Sequence, residues 1–227
     1  MGEALLVGTD LQLQTLRLYG ELMCRRASWA GKLVFARGAG ASASGLAAAA
    51  SIAGGTTLVV DPDTAMVKAV FRQGGVDFLV NTLDEALRVL KNEIRRGRPL
   101  GVGLVAEVGL VLEEMVERGV VPDLEVSVGG EAEELLGREG LRLASREGIV
   151  VESEWLVAWL AERGWSEAVL EGATSPGLRE VDARLLELLP DALRKTWVQR
   201  IGHYQRAVGG GARVVWLTDS ERACGAI

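Results

Sequence analysis

The residues whose spacing could do chemistry form the run Gly38-Ala39-Gly40-Ala41-Ser42-Ala43-Ser44. It stands between an apolar stretch at 32–37 (KLVFAR) and an alanine-rich stretch at 42–53, and Asp61 closes the next apolar run at 56–61 (TTLVVD). This is a G-x-G-x-x-A turn between a strand and a helix, with an acidic residue about 20 positions on, the arrangement that holds a dinucleotide. Gly38 permits the tight turn, Gly40 lets the backbone approach a pyrophosphate, and Ala43 lets the helix pack closely on the strand. The start of the helix offers unbonded N–H groups and a partial positive charge to a phosphate. Ser42 and Ser44 add hydroxyl donors, and Asp61 is placed to accept from a ribose 2′-hydroxyl, which favours NAD over NADP. The competing explanation is that small residues here only allow tight strand-to-helix packing.

The flanking pattern supplies a scaffold for such a turn. Short apolar runs at 4–8, 32–37, 56–61, 77–80, 100–105 and 123–128 read as strands. They alternate with helical segments at 10–28, capped by Thr9 or Asp10, and at 42–53, 63–73, 82–96 and 108–118. Thr82 caps the fourth of these, Glu93 and Arg96 pair along it, and Gly119 closes the fifth. Strand and helix in alternation predict a mostly parallel sheet with helices on both faces. After Gly130 the pattern changes: 131–146 is charged and ambiguous, and helices follow at 152–163, 181–189 and 191–207. A last strand at 213–217 is expected to return to the same sheet. The fold class is thus α/β, Rossmann-like, one domain over 1–227 with a largely helical excursion at 131–207.

Composition limits the alternatives. The 227 residues carry 25 Lys and Arg against 31 Asp and Glu, a net charge of −6, which argues against nucleic acid as a partner. The N-terminus has no basic region and too short an apolar stretch for a signal peptide, and the most apolar long stretch, Gly45 to Val60, is shorter than a membrane span needs. Cys24 and Cys224 have no metal-binding spacing and read as reduced thiols of a cytoplasmic protein. A single histidine, His203, gives no histidine-based metal site and reads as a surface or capping residue. Trp155, Trp159, Trp165 and Trp197 read as core or subunit-interface packing, with base stacking as the alternative, and make a homodimer plausible. Arg194, Lys195, Arg200 and Arg206 read as a solvated basic face. Thr218, Asp219 and Ser220 follow the last strand, at the edge where a parallel sheet binds ligands, and read either as ligand contacts or as a helix cap. Gly129 and Gly130 hold a similar place after the strand at 123–128.

The sequence resembles the central NAD-binding domain of urocanase (urocanate hydratase). The resemblance rests on Gly31-Lys32-Leu33-Val34 before the glycine turn, Ala53-Gly54-Gly55, Asp61, Leu83-Asp84-Glu85-Ala86-Leu87, Gly97-Arg98-Pro99-Leu100, Gly103-Leu104 and Gly119-Val120-Val121-Pro122-Asp123-Leu124. Gly8-Thr9, Tyr204-Gln205 and Gly211-Ala212 extend it faintly; the clear part is about 31–130. It implies a Rossmann-like fold and NAD as cofactor. In that family NAD is an electrophile: the substrate imidazole attacks the nicotinamide ring, which activates the side chain for addition of water. Other domains hold the substrate and the acid and base groups.

Several positions depart from the family. Ala41, Ser42, Ala43 and Ser44 replace much of a glycine-richer turn. Asp61 stands for a glutamate and Met66 for an arginine. Glu107-Val108 replaces an Asn-Ala pair in the cofactor loop, where an inward carboxylate would repel a pyrophosphate. Val128-Gly129-Gly130-Glu131-Ala132 replaces Gln-Thr-Ser-Ala-His, and Leu217-Thr218-Asp219-Ser220 replaces Tyr-Gly-Asn-Asn. The expected function is a stand-alone NAD- or nucleotide-binding domain without the framework that holds urocanate. The alternatives are a scaffold that has lost its ligand, and the small subunit of a two-chain hydratase.

Overall fold

Three runs rich in β-branched and other apolar residues become adjacent parallel strands: β1 (Leu33–Arg37), β2 (Thr56–Asp61) and β4 (Leu100–Val105). Side chains alternate across each, so the sheet is apolar on both faces. Val34, Ala36 and Val59 enter one core cluster, and Leu33, Phe35, Leu58 and Val60 the other. Both faces therefore need helices. The computed structural model describes residues 8–128, 136–146, 149–172, 175–204 and 211–224. In chain order its elements are α1 (Gly8–Met23), β1, α2 (Ala41–Ile52), β2, α3 (Thr64–Arg72), β3 (Phe78–Val80), α4 (Leu83–Arg96), β4, α5 (Val108–Glu117), β5 (Leu124–Val128) and β6 (Gly140–Leu143). The six strands form an all-parallel sheet in the order β3-β4-β2-β1-β5-β6. Residues of α1, α2 and α3 line the first core cluster, and residues of α4 and α5 the second.

Local chemistry sets the helix ends. Thr82 Oγ1 accepts from the Glu85 N–H at 3.2 Å, and Gly97 closes α4 in the left-handed conformation at φ 61°. The Glu93–Arg96 pair forms at 3.3 Å. In α2, alanine favours helix and keeps the surface thin. A Cβ on Gly45 would lie 2.9 Å from Gln14 Cγ, so side chains of α1 pack directly on the backbone of α2. The strand expected at 4–8 is not supported where it can be judged: Gly8 is the first residue of α1, and 4–7 lie outside the described residues. Thr9 and Asp10 sit inside the first turn rather than capping it, and α1 ends at Met23, five residues short of the expected end.

The C-terminal third differs most from expectation. It contains β7 (Ser145–Arg146), β8 (Ile149–Val150), α6 (Glu154–Ala161), β9 (Ser166–Glu171), α7 (Ser175–Leu188), α8 (Ala192–Tyr204), β10 (Ala212–Leu217) and α9 (Asp219–Ala223). β10 does not return to the parallel sheet; it pairs antiparallel with β9 as a separate ribbon. Its other edge is sealed by a side chain. Gln12 Nε2 donates to the Ala212 carbonyl at 3.0 Å, and Gln12 Oε1 accepts from the Val214 N–H. An amide buried in α1 thus satisfies backbone groups that would otherwise seek a further strand.

Aromatic packing joins this ribbon to α1. Trp216 is fully buried, with Tyr19, Trp159 and Trp165 around it at ring-centroid distances of 6.4, 5.9 and 6.1 Å. Trp197 packs on Tyr19 at 5.6 Å. Trp155 is the exception, 70% exposed on α6. The basic face expected on α8 is not uniformly solvated. Arg194 is 2% exposed and held by Asp191 at 2.6 Å and by Glu221 at 2.7 and 2.8 Å, partners that compensate a buried guanidinium. Arg200 is exposed, and Arg206 lies outside the described residues. His203 is exposed in the last turn of α8, edge-on to Tyr204 at 5.1 Å. Among the described residues no helix is long and apolar enough to cross a membrane.

One carboxyl in this region gives a pH dependence. Burial, and then the negative charge of Glu167, raise the pKa of Glu152 above its ordinary 4.5, against the opposing pull of Arg17. The folded state therefore binds the Glu152 proton more tightly than the unfolded chain. That stabilisation is complete below the unfolded value and is lost as pH rises through the folded one. Glu152→Gln mimics the protonated form. The melting-temperature difference between Glu152→Gln and the wild type is expected to grow as pH rises from about 4.5 to neutrality. Parallel melting curves across that range would show that Glu152 titrates alike in both states.

Candidate functional site

The strand order turns at β1. From it the sheet runs through β2, β4 and β3 on one side and β5 and β6 on the other. Where order reverses, the loops leaving two neighbouring strands diverge and open a crevice beyond their carboxyl ends. A cavity of about 150 Å³ lies there, between the ends of β1 (Ala36, Arg37) and β5 (Val126, Val128) and the start of α2 (Ser42, Ala43).

The glycine turn forms its wall. Gly38 has φ +81°, and its N–H donates to the Val60 carbonyl at 2.8 Å, tying the turn to β2. Gly40 is the N-cap of α2, at φ −66° and ψ −178°, and no side chain caps the helix. The Ala43 N–H donates to the Gly40 carbonyl at 3.0 Å; the N–H groups ahead of it have no side-chain cap from Gly40 and stand at the positive end of a twelve-residue helix. Ala41 is the first residue of α2. Ser42 is 4% exposed, lines the cavity, and its Oγ has no hydrogen-bond partner among the described residues. A buried hydroxyl without a partner is costly, so it marks a place where a ligand or water atom belongs. Ala43, 6% exposed, packs in the core as a small residue at this position should. Ser44 does not line the cavity: it is buried against the backbone at Gly75.

Asp61 reaches the turn, and both its oxygens are in use. Oδ2 accepts from the Ala39 N–H at 2.7 Å and Oδ1 from the Asp63 N–H at 2.7 Å. The carboxylate thus braces the glycine turn against the β2–α3 connection. Each oxygen retains a second lone pair, so a ribose hydroxyl is still compatible with it. Met66 is partly buried on α3 against the core, which places no cation there.

Arg37 and Glu125 are the site residues that spacing did not single out. Glu125 is fully buried in β5 and ion-paired with Arg37. Its Oε2 also accepts from the N–H groups of Leu136 and Gly137 at 2.6 and 2.7 Å. The signal was present: one carboxylate inside the apolar run Leu124–Val128, and one guanidinium ending the neighbouring run.

The remaining expected contacts are scattered. Glu107 is the N-cap of α5, makes no side-chain cap bond, and follows β4, two strands from β1. It does not line the cavity. Gly129 and Gly130 lie outside the described residues. Thr218 and Asp219 stand at the end of the separate ribbon, not at the parallel sheet's edge. There Thr218 caps α9: its Oγ1 accepts from the Glu221 N–H at 3.2 Å and its N–H donates to Glu221 at 2.7 Å.

The donors that meet at the cavity are helix N–H groups and one hydroxyl, a set suited to a phosphate oxyanion; the Arg37 guanidinium beside them is held by Glu125. The set fits the diphosphate of a dinucleotide. The lining has no carboxylate, imidazole or thiol among the described residues. Residues 6–128, more than half of the chain, match the family described as the urocanase Rossmann-like domain. The match covers α1 through β5, including the glycine turn, Asp61 and Glu125. With the all-parallel sheet and the crevice at its switch point, this chain belongs to the urocanase Rossmann-like domain family.

Proposed function

We propose that the chain is a nucleotide-binding domain that holds NAD with its diphosphate at the β1–α2 turn. The observation that carries this reading is Ser42: a buried, unpartnered hydroxyl on a cavity wall beside an uncapped helix start. The α2 N–H groups and Ser42 would hold the diphosphate, and Asp61 would orient a ribose through its remaining lone pairs. Bound there, NAD supplies an electrophilic nicotinamide ring. Among the described residues the lining side chains are a serine, an arginine and small or apolar groups, with no carboxylate, imidazole or thiol. The role is therefore cofactor binding, with the substrate and the proton-transfer groups on another domain or a partner chain.

Calorimetric titration of the full chain with NAD, with mass spectrometry of small molecules released on denaturation, tests the reading. Saturable heat, or stoichiometric NAD carried through purification, is expected. A second reading, a scaffold that has lost the ligand, is favoured by Asp61, whose oxygens already serve the backbone, and by Met66 in the core. No heat and no released nucleotide would leave only that second reading.

A further inference from the structure

A second cavity, about 870 Å³, opens at the opposite edge of the six-stranded sheet, among the segments that precede β1, β2 and β4. Its volume is that of small-molecule sites, roughly 300–1,000 Å³. One wall comes from the matched domain, with Met23, Ile52 and Pro99; the other is Trp159, Trp165 and the first turns of α8, all outside residues 6–128.

The lining is rich in cationic donors. In a chain of net charge −6, four arginines line this one cavity: Arg25, Arg26, Arg163 and Arg200. The Ile52 carbonyl accepts from Arg200 at 2.8 Å, and the Trp159 carbonyl from Arg163 at 2.8 Å. The Asp191 carboxylate is held by Arg194 at 2.6 Å. Arg25 and Arg26 share Glu139, at 3.5 and 2.8 Å. Arg200 has no carboxylate partner among the described residues and spends a single N–H on Ile52. The guanidinium of Arg163 pairs with the exposed Glu162 at 3.6 Å and lies 4.2 Å from the Trp159 ring centroid and 5.7 Å from that of Trp165, which keeps a cation on the aromatic wall. Neither indole N–H has a protein acceptor among the described residues. An apolar floor beside a guanidinium with no carboxylate partner among the described residues complements one kind of ligand.

We propose that this cavity binds a small organic anion, its ring-sized apolar body on the Met23, Ile52 and Trp159 surfaces and its carboxylate on Arg200 and Arg163. The site is separate from the glycine turn and stands whether or not NAD binds there.

Nitrogen–proton NMR of the full chain resolves the six tryptophan indoles. The probe is 1-naphthoate, with 1-naphthylmethanol as its neutral counterpart. The indole resonances of Trp159 and Trp165 are expected to shift saturably with naphthoate. Those of Trp29 and Trp197, bonded to the Leu22 and Val214 carbonyls at 2.9 and 2.8 Å, should stay still. Affinity should fall about 10-fold or more for the neutral probe and in Arg200→Gln, from loss of a charge-assisted hydrogen bond. Arg163→Gln, on an exposed side chain, gives the same readout should loss of the Ile52 contact unfold Arg200→Gln. Equal affinity for both probes, unchanged affinity in the variants that fold, or no shift at either indole would overturn the proposal.

Discussion

Asp61→Ala is expected to destabilise the fold by about 2–4 kcal/mol and to weaken NAD binding by about 1–3 kcal/mol. The first effect follows from the two backbone N–H groups, of Ala39 and Asp63, that the carboxylate holds at 2.7 Å. Bonds to a charged acceptor exceed neutral ones, and the Ala39 donor, partly buried at the turn, would be left unsatisfied. The second follows from the lost ribose contact and from the turn that must approach the diphosphate losing its brace. Asp61→Asn separates the contributions: its amide keeps one acceptor oxygen and should lose about half of the stability. Urea denaturation measures the stability and calorimetry the affinity. A variant as stable as the wild type, with only NAD affinity reduced, would mean that Asp61 serves the ligand and not the turn.

Glu125→Ala is expected to cost about 3–5 kcal/mol, the range for breaking a buried ion pair by removing one partner. Glu125 is fully buried, and its loss removes a buried carboxylate from the Arg37 guanidinium and leaves the Leu136 and Gly137 N–H groups without their acceptor. The double variant Arg37→Met/Glu125→Leu removes both charges and fills the space with apolar groups, so it should recover part of the loss. Urea midpoints of the wild type, both single variants and the double variant give the coupling directly. A Glu125→Ala protein within about 1 kcal/mol of the wild type, below the range for a stranded buried charge, would show that the pair contributes little.

Where chemistry is local, the sequence was legible. The strands at Thr56–Asp61 and Leu100–Val105 end where their apolar runs end. Helix α4 starts after Thr82 and stops at Gly97 because a hydroxyl cap and a left-handed glycine act within one turn. The glycine turn was found by spacing, and it stands at the switch point. What failed depends on partners far along the chain. β9 reads SEAVLE, too charged to stand out as a strand, and it forms only because β10 arrives 40 residues later. Arg194 looked solvated until Glu221, 27 positions on, came to its guanidinium. Asp61 stands beside the glycine turn, as its spacing predicts, but its oxygens brace the backbone at Ala39 and Asp63, contacts that spacing does not reveal.

If Ser42 serves a ligand rather than the core, Ser42→Ala changes two quantities with opposite sign. Melting curves of wild type and variant, with and without saturating NAD, measure both. Without NAD the variant should be as stable as the wild type or more so, since the lost hydroxyl has no partner among the described residues. The shift produced by NAD should be smaller, matching a loss of about 0.5–1.5 kcal/mol in binding. A variant that melts lower without NAD, yet responds to NAD as the wild type does, would contradict the ligand role and return Ser42 to a packing role.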